Sequence, residues 1–218
     1  MAATRARPGV QAFDLNIGKV LEHWTIPFAI RELIANAIDE QAITDTAEPV
    51  IRKDEQGRWH ITDAGRGLRH AHLTQNESAE KRKHPEVIGQ FGMGLKDALA
   101  VFDRRGVQVA IFSPHADITI GRRPKQDFPD VLTLHALIAP PTGRTRAGTD
   151  VVLEGVSDDD VEAAKQFFLR FSDEQLLEST EYGDVLVRPR RVHHRTNARR
   201  ARMARRRPPR LPRAADPG

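Results

Sequence analysis

Glu32-Leu33-Ile34-Ala35-Asn36-Ala37-Ile38-Asp39 is the stretch from which the rest of this 218-residue chain is best read. Ile26, Ile30, Leu33, Ile34, Ala37 and Ile38 recur at helical spacing. Thr25 precedes them as an N-cap, and Pro27 lies in the first turn, where a missing N–H costs little. Glu32, Asn36, Asp39 and Glu40 fall on a different stripe of the same expected helix, 26–40, so aliphatic groups can face a core while carboxylates and an amide face a cleft. Glu32 and Asn36 stand at i and i+4, about 6 Å apart at Cβ. An amide oxygen is a hard, neutral ligand suited to magnesium, and a carboxylate one turn away can poise a water for attack on a phosphate. Taken alone, such a pair reads at least as well as two solvated surface residues.

Its company changes the weighing. Asp63-Ala64-Gly65-Arg66-Gly67 follows a strand expected over 59–62, itself joined to a strand over 50–53 by a turn at Glu55-Gln56-Gly57. A carboxylate at a strand end can accept from an exocyclic amine such as adenine N6, and the glycines permit close backbone approach; an ordinary structural turn is the other reading. In Gly89-Gln90-Phe91-Gly92-Met93-Gly94-Leu95-Lys96 the glycines leave N–H groups free to point at phosphate oxygens where a helix restarts over 95–102, and Lys96 adds positive charge. There is no GxxxxGK[ST], and no GxGxxG in a βαβ setting, which argues against the P-loop and Rossmann routes to nucleotide binding. Three such islands between residues 32 and 96 are far less ordinary than any one of them.

Further strands are expected over 107–112, 117–120, 131–138 and 149–153. Ser157 with Asp160 opens a final helix whose one face carries Val161, Ala164, Phe167, Phe168 and Phe171. The sum is an α+β layer, helices on one sheet, with residues 68–88 a polar and mobile loop holding one short helix. The alternating apolar residues between 107 and 153 read as sheet core. No internal repeat is present.

The formal net charge of +4 is uneven, because residues 188–218 hold twelve arginines and one acid, Asp216; they carry +11 and leave −7 for the rest. That Arg/Pro-rich tail is expected to be disordered, serving either as a nucleic-acid-binding arm or as a solvated or aberrant end. Cysteine is absent, which removes disulfides and thiolate chemistry and is compatible with a reducing compartment. With His70, His72 and His84 in the loop and His193-His194 in the tail, zinc is not expected. No apolar run of about 20 residues exists, and residues 1–9 lack an apolar signal core, so a cytoplasmic, non-membrane protein is expected.

The three islands resemble the first three motifs of the GHKL ATPase superfamily, which contains gyrase B, Hsp90, MutL, MORC ATPases and sensor histidine kinases. The segment from Gln90 to Lys96 is similar to the Hsp90 and MORC lid ending, and the segment from Glu32 to Glu40 to the gyrase B helix. The resemblance, over about 13–155, implies a Bergerat two-layer sandwich: a mixed, mostly antiparallel sheet with helices on one face and a flexible ATP lid over about 68–94. It implies ATP and Mg2+ as cofactors, Glu32 as general base, Asn36 as the metal ligand and Asp63 as the adenine contact. It also implies Gly65 and Gly67 beside the base, with Asp39, Gly89, Gly92, Met93, Gly94, Leu95 and Lys96 around the nucleotide. Gly148-Thr149 resembles the fourth motif, where a threonine joins adenine recognition. The expected organisation is a leader at 1–12, an ATP-binding domain at 13–187 with its motifs in 26–155, and the tail. The expected function is a Mg-ATP-binding ATPase whose lid closure controls homodimerisation or partner engagement. The alternatives are a nucleotide-sensing or nucleic-acid interaction module without turnover, and, behind it, a histidine protein kinase. Gyrase- and MutL-like members carry a further catalytic lysine in a following transducer domain, which this chain does not display, so hydrolysis rests on less than binding does.

Overall fold

The computed structural model describes residues 9–15, 23–74, 87–88 and 94–171, and the backbone of 175–180 and 183–187. The expected leader up to residue 8, most of the expected lid with Gly89, Gly92 and Met93, and the tail from residue 188 lie outside the described residues. The chain divides into two units, Met1–Ser172 and Asp173–Gly218.

In the first unit the order is β1 (Gln11–Asp14), α1 (Ile26–Thr44), β2 (Val50–Lys53), β3 (Trp59–Thr62), α2 (Ala71–Thr74), α3 (Gly94–Arg105), β4 (Gln108–Phe112), β5 (Asp117–Lys125), β6 (Phe128–Ala139), β7 (Asp150–Glu154) and α4 (Asp158–Lys165), followed by a 3-10 turn at Leu169–Phe171. Seven strands form one open sheet in the order β1-β6-β5-β4-β7-β3-β2. Every pairing among them is antiparallel, where the resemblance implies a mixed, mostly antiparallel sheet. The architecture is thus α+β, an open antiparallel sheet with helices packed on it. Among the described residues no helix is long and apolar enough to cross a membrane.

The core lies between α1, α3, α4 and one face of the sheet. Strand alternation supplies Trp59 and Ile61 from β3, Val109 and Ile111 from β4, Ile118 from β5 and Val151 and Leu153 from β7, while α1 supplies Ile30, Leu33, Ile34 and Ala37 and α3 supplies Leu99 and Phe102. Thr25 occupies the N-cap of α1 in an extended conformation, although its side chain makes no capping bond. Ser157 does cap α4, its hydroxyl accepting from the Asp160 N–H at 3.1 Å.

Three elements differ from their sequence expectation. Helix α1 runs to Thr44, four residues beyond Glu40, and ends where Asp45 turns left-handed at φ 50°. The β5–β6 hairpin extends through 121–133, where exposed, strand-paired residues erase the apolar alternation by which a strand is recognised. Helix α4 stops at Lys165, so its apolar run does not share one helical face: Val161, Ala164 and Phe168 are buried, whereas Phe167 is 49% exposed and stacks on Phe28 at 5.3 Å.

In the second unit, β8 (Gln175–Thr180) and β9 (Gly183–Val187) pair antiparallel with a register irregularity between Leu176 and Glu178.

Ile34 is fully buried at the centre of α1. Ile34→Ala should cost about 2–5 kcal/mol, read as a lower midpoint in urea at unchanged slope.

Candidate functional site

Helix α1 presents its polar stripe to three separate loops. Near its middle, the Glu32 carboxylate lies against Gly94, the first residue of α3. A Cβ on Gly94 would run into that carboxylate, so any other residue there would push the Glu32 side chain aside. Glu32 is largely shielded, with its side chain 14% exposed, and it also contacts Arg31. A carboxylate at the first turn of α3 sits in a favourable field, since the unpaired N–H groups there carry partial positive charge. Asn36 follows one turn further along α1, half-buried, and Asp39 is fully buried. Asp39 accepts from the Ile88 N–H at 2.7 Å, which fastens the chain just ahead of the third island to α1. Leu95 packs on the core and Lys96 lies in the first turn of α3, half-buried.

Glu40, one turn after Asn36, holds the second island. It accepts from the Arg66 backbone N–H at 2.8 Å and from the guanidinium at 2.9 and 3.1 Å. Burial pushes the Glu40 carboxyl up, but the hydrogen bonds and charge of Arg66, with a smaller contribution from His72, outweigh it and leave the group below its ordinary value.

Asp63 stands at the end of β3, 8% exposed, and its Oδ1 accepts from the Gly65 N–H at 2.9 Å. Burial raises its pKa and the nearby charge of Glu40 adds to the rise, whereas hydrogen bonds from Gly65 and the Thr149 side chain work downward; the net effect is upward. Such a group is a carboxylate with little solvent to satisfy it. The 63–68 loop is then pinned from β7 and from the β4–β5 turn. Asp63 N–H donates to the Thr149 carbonyl at 3.0 Å, Gly148 N–H to the Gly65 carbonyl at 2.8 Å, and Leu68 N–H to the Thr149 hydroxyl at 3.1 Å. Ser113 donates to the Leu68 carbonyl at 2.7 Å. Gly148 has φ +68°, and a Cβ there would press on the Asp63–Ala64 backbone, 2.9 Å from the Ala64 Cα. Gly67 lies in the same loop against Pro114 and the Gly148 carbonyl.

Along α1 there are thus three separate contacts: Glu32 with Gly94, Asp39 with the Ile88 N–H, and Glu40 with the loop that holds Asp63, Gly65 and Gly67 beside Thr149. Sequence reasoning did not single out Arg66, Ser113 or the polar network behind β3. Arg66 was readable as a cation beside a glycine turn with Glu40 available, but nothing in the spacing joined the two. Among the described residues no three His, Asp or Glu side chains cluster to hold a metal ion.

No family model matches this chain. It is 40% identical over 176 residues to an uncharacterized protein of Mycoplasma pneumoniae, a match covering 79% of this chain and 71% of that one. It is also 30% identical over 161 residues to the chaperone protein HtpG of Gluconobacter oxydans, covering 60% of this chain and 24% of the chaperone, about a quarter of its length.

Because the Glu40 carboxyl is held below its unfolded value, the stability it contributes is present above that unfolded value, about 4.3, and is lost as pH falls through the folded one. Thermal melts should show Glu40→Gln less stable than wild type at neutral pH, the gap narrowing in acid. Gly148→Ala should lose more than about 1 kcal/mol at all pH values, through left-handed strain and backbone collision.

Proposed function

The chain belongs to the family of the uncharacterized Mycoplasma pneumoniae protein, and we propose that it is a Mg-ATP-binding domain of the GHKL type that hydrolyses the nucleotide. The observation carrying this reading is the convergence of Glu32 with Gly94 and of Asp63 with Thr149 on opposite ends of one helix-to-loop surface. The partial likeness to HtpG, of the Hsp90 branch of that superfamily, supports it.

In this proposal adenine sits at the Asp63 end. The Asp63 carboxylate accepts from the exocyclic amine, and Thr149, already bonded to Asp63, orders the neighbouring polar contact. The glycines at 65 and 67 let the backbone lie beside the base. The phosphates lie toward the first turn of α3, where the N–H groups of the helix N-terminus and Lys96 meet their charge. Magnesium fits here as an ion held mainly by phosphate oxygens and water, with one hard protein donor, the Asn36 amide oxygen; when bound it neutralises phosphate charge. Glu32, one turn from Asn36 and shielded from solvent, orients the attacking water and takes its proton as the new P–O bond forms and the bridging bond to the leaving diphosphate breaks. Asp39 fastens Ile88 near the end of the lid expected over about 68–94, an anchor from which that lid closes over nucleotide and controls pairing of two copies.

Calorimetric titration of Mg-ATP followed by phosphate-release assays separates the roles. Asp63→Asn should weaken binding by about tenfold to a hundredfold, the worth of a charge-assisted hydrogen bond. Glu32→Ala should keep binding and lose turnover by at least about a hundredfold. Wild-type affinity should also fall as pH drops through the raised Asp63 value, because a protonated carboxyl no longer accepts from an amine on both oxygens. Equal affinity in wild type and Asp63→Asn would refute the assignment of the base.

A further inference from the structure

Glu32, Asn36 and Glu40 stand at i, i+4 and i+8 of α1, on one line along the helix about 12 Å long. The nucleotide reading uses the first two and leaves Glu40 without a role. Its side chain, 20% exposed, turns to the 63–68 loop, where Oε1 accepts from the Arg66 backbone N–H at 2.8 Å and from Nε at 2.9 Å, and Oε2 accepts from Nη2 at 3.1 Å. The backbone N–H is the informative partner. It fixes the path of the loop itself, whereas the Arg66 side chain is half exposed and free to find other geometries.

Gly65 meets the same carboxylate from the loop side. A Cβ there would run into the Glu40 side chain, 2.7 Å from Oε1 and 2.9 Å from Cδ. Gly65 is not among the glycines with left-handed backbone, so its conformation would accept a side chain, and the space taken by Glu40 would not. The N–H of this same residue donates to Asp63 Oδ1 at 2.9 Å, and the charge of Glu40 is near enough to push the Asp63 carboxyl up. Glu40 is thus one residue removed from the acid assigned to adenine. The sheet side of the loop is held separately, by the Gly148 N–H on the Gly65 carbonyl at 2.8 Å and by Ser113 on the Leu68 carbonyl at 2.7 Å. Those bonds set the loop against the strands; Glu40 sets it against the helix that carries Glu32 and Asn36.

Resting on the nucleotide reading above, we propose that Glu40 is a positioning residue whose reach from α1 to the Arg66 N–H fixes the distance between the base-reading Asp63 and the phosphate-side groups Glu32 and Asn36. It touches neither base nor metal and acts through Gly65 on the Asp63 carboxylate. Length, more than charge, is then the property that binding requires of residue 40. Affinity for the base-bearing nucleotide depends on it, and affinity for a bare phosphate chain does not.

The test measures Mg-ATP and Mg-tripolyphosphate binding by calorimetry in wild type, Glu40→Asp and Glu40→Gln, with urea titrations confirming that each is folded. Aspartate keeps the charge and is one methylene, about 1.5 Å, too short; glutamine keeps the length and an acceptor oxygen and loses the charge. Expected is Mg-ATP affinity about tenfold lower in Glu40→Asp and within about threefold of wild type in Glu40→Gln, although the latter is the less stable at neutral pH than wild type, with Mg-tripolyphosphate affinity unchanged in both. A role in stability alone would not separate the two ligands or favour glutamine. No loss in Glu40→Asp, an equal loss in both variants, or a parallel fall in tripolyphosphate affinity would overturn the proposal. Should Glu40→Asp fail to fold, hydrogen exchange at the Arg66 amide of wild type decides. Because coupling is reciprocal, Mg-ATP should slow that exchange and Mg-tripolyphosphate should not, and equal protection by both would overturn the proposal. A wild type that binds no Mg-ATP refutes the reading of the site as well, a result distinct from ATP binding that ignores the length of residue 40.

Discussion

Helix α1 must be insoluble along one side and ionic along the other, and the site follows from how that conflict is met. Ile30, Leu33, Ile34 and Ala37 are sealed against the sheet, yet Asp39 is as fully buried as they are and Glu32 and Glu40 are largely shielded. Burying a carboxylate is costly unless donors replace the lost water. The donors arrive from loops: Ile88 N–H for Asp39, and Arg66 with its own N–H for Glu40. The helix therefore cannot be stable in this setting without drawing these loops onto it. Order in the loops and ionisation on the helix are two sides of one balance.

Close approach is what makes that balance reachable. Where Glu32 meets α3, and where β7 crosses the 63–68 loop, there is no room for a side chain, and the chain has Gly94 and Gly148 at those points. The result is a surface built from backbone and carboxylate with few flexible side chains in between. The ligand proposed above, a polyanion with an amine-bearing ring, would meet helix N–H groups at one end and an under-solvated acid at the other.

Much of this was legible because it lay in local pattern. The 3.6-residue recurrence of Ile26 to Ile38 identifies α1, and β2 and β3 fall where alternation and a Gly57 turn put them. The site islands were legible because glycine and carboxylate are uncommon partners at those spacings. What escaped was non-local. Strand direction carries no periodic signal; the mixed, mostly antiparallel sheet was what the resemblance implied, and the pairings of β4 are antiparallel throughout. The long β5–β6 hairpin is held by backbone pairing through exposed residues, and Phe167 turned outward because α4 ended one turn early. The pairing of His60 with Asp54 and Asp150 spans up to 90 residues, and a histidine within Trp-His-Ile-Thr gives no hint that its ring is enclosed by two acids.

The two faces of the β3–β7 ladder carry opposite kinds of polar order. On the helix side, Asp63 and Thr149 tie the ends of the two strands to the 63–68 loop through the Gly65 and Leu68 N–H groups. On the far side, His60, Thr62, Asp54 and Asp150 satisfy one another. A satisfied network is stiff because each member has lost its alternatives. The two sets stiffen the same end of the β3–β7 ladder from opposite faces. The apolar strand residues add to this, because a one-residue slip would turn Ile61, Val151 and Leu153 out of the core.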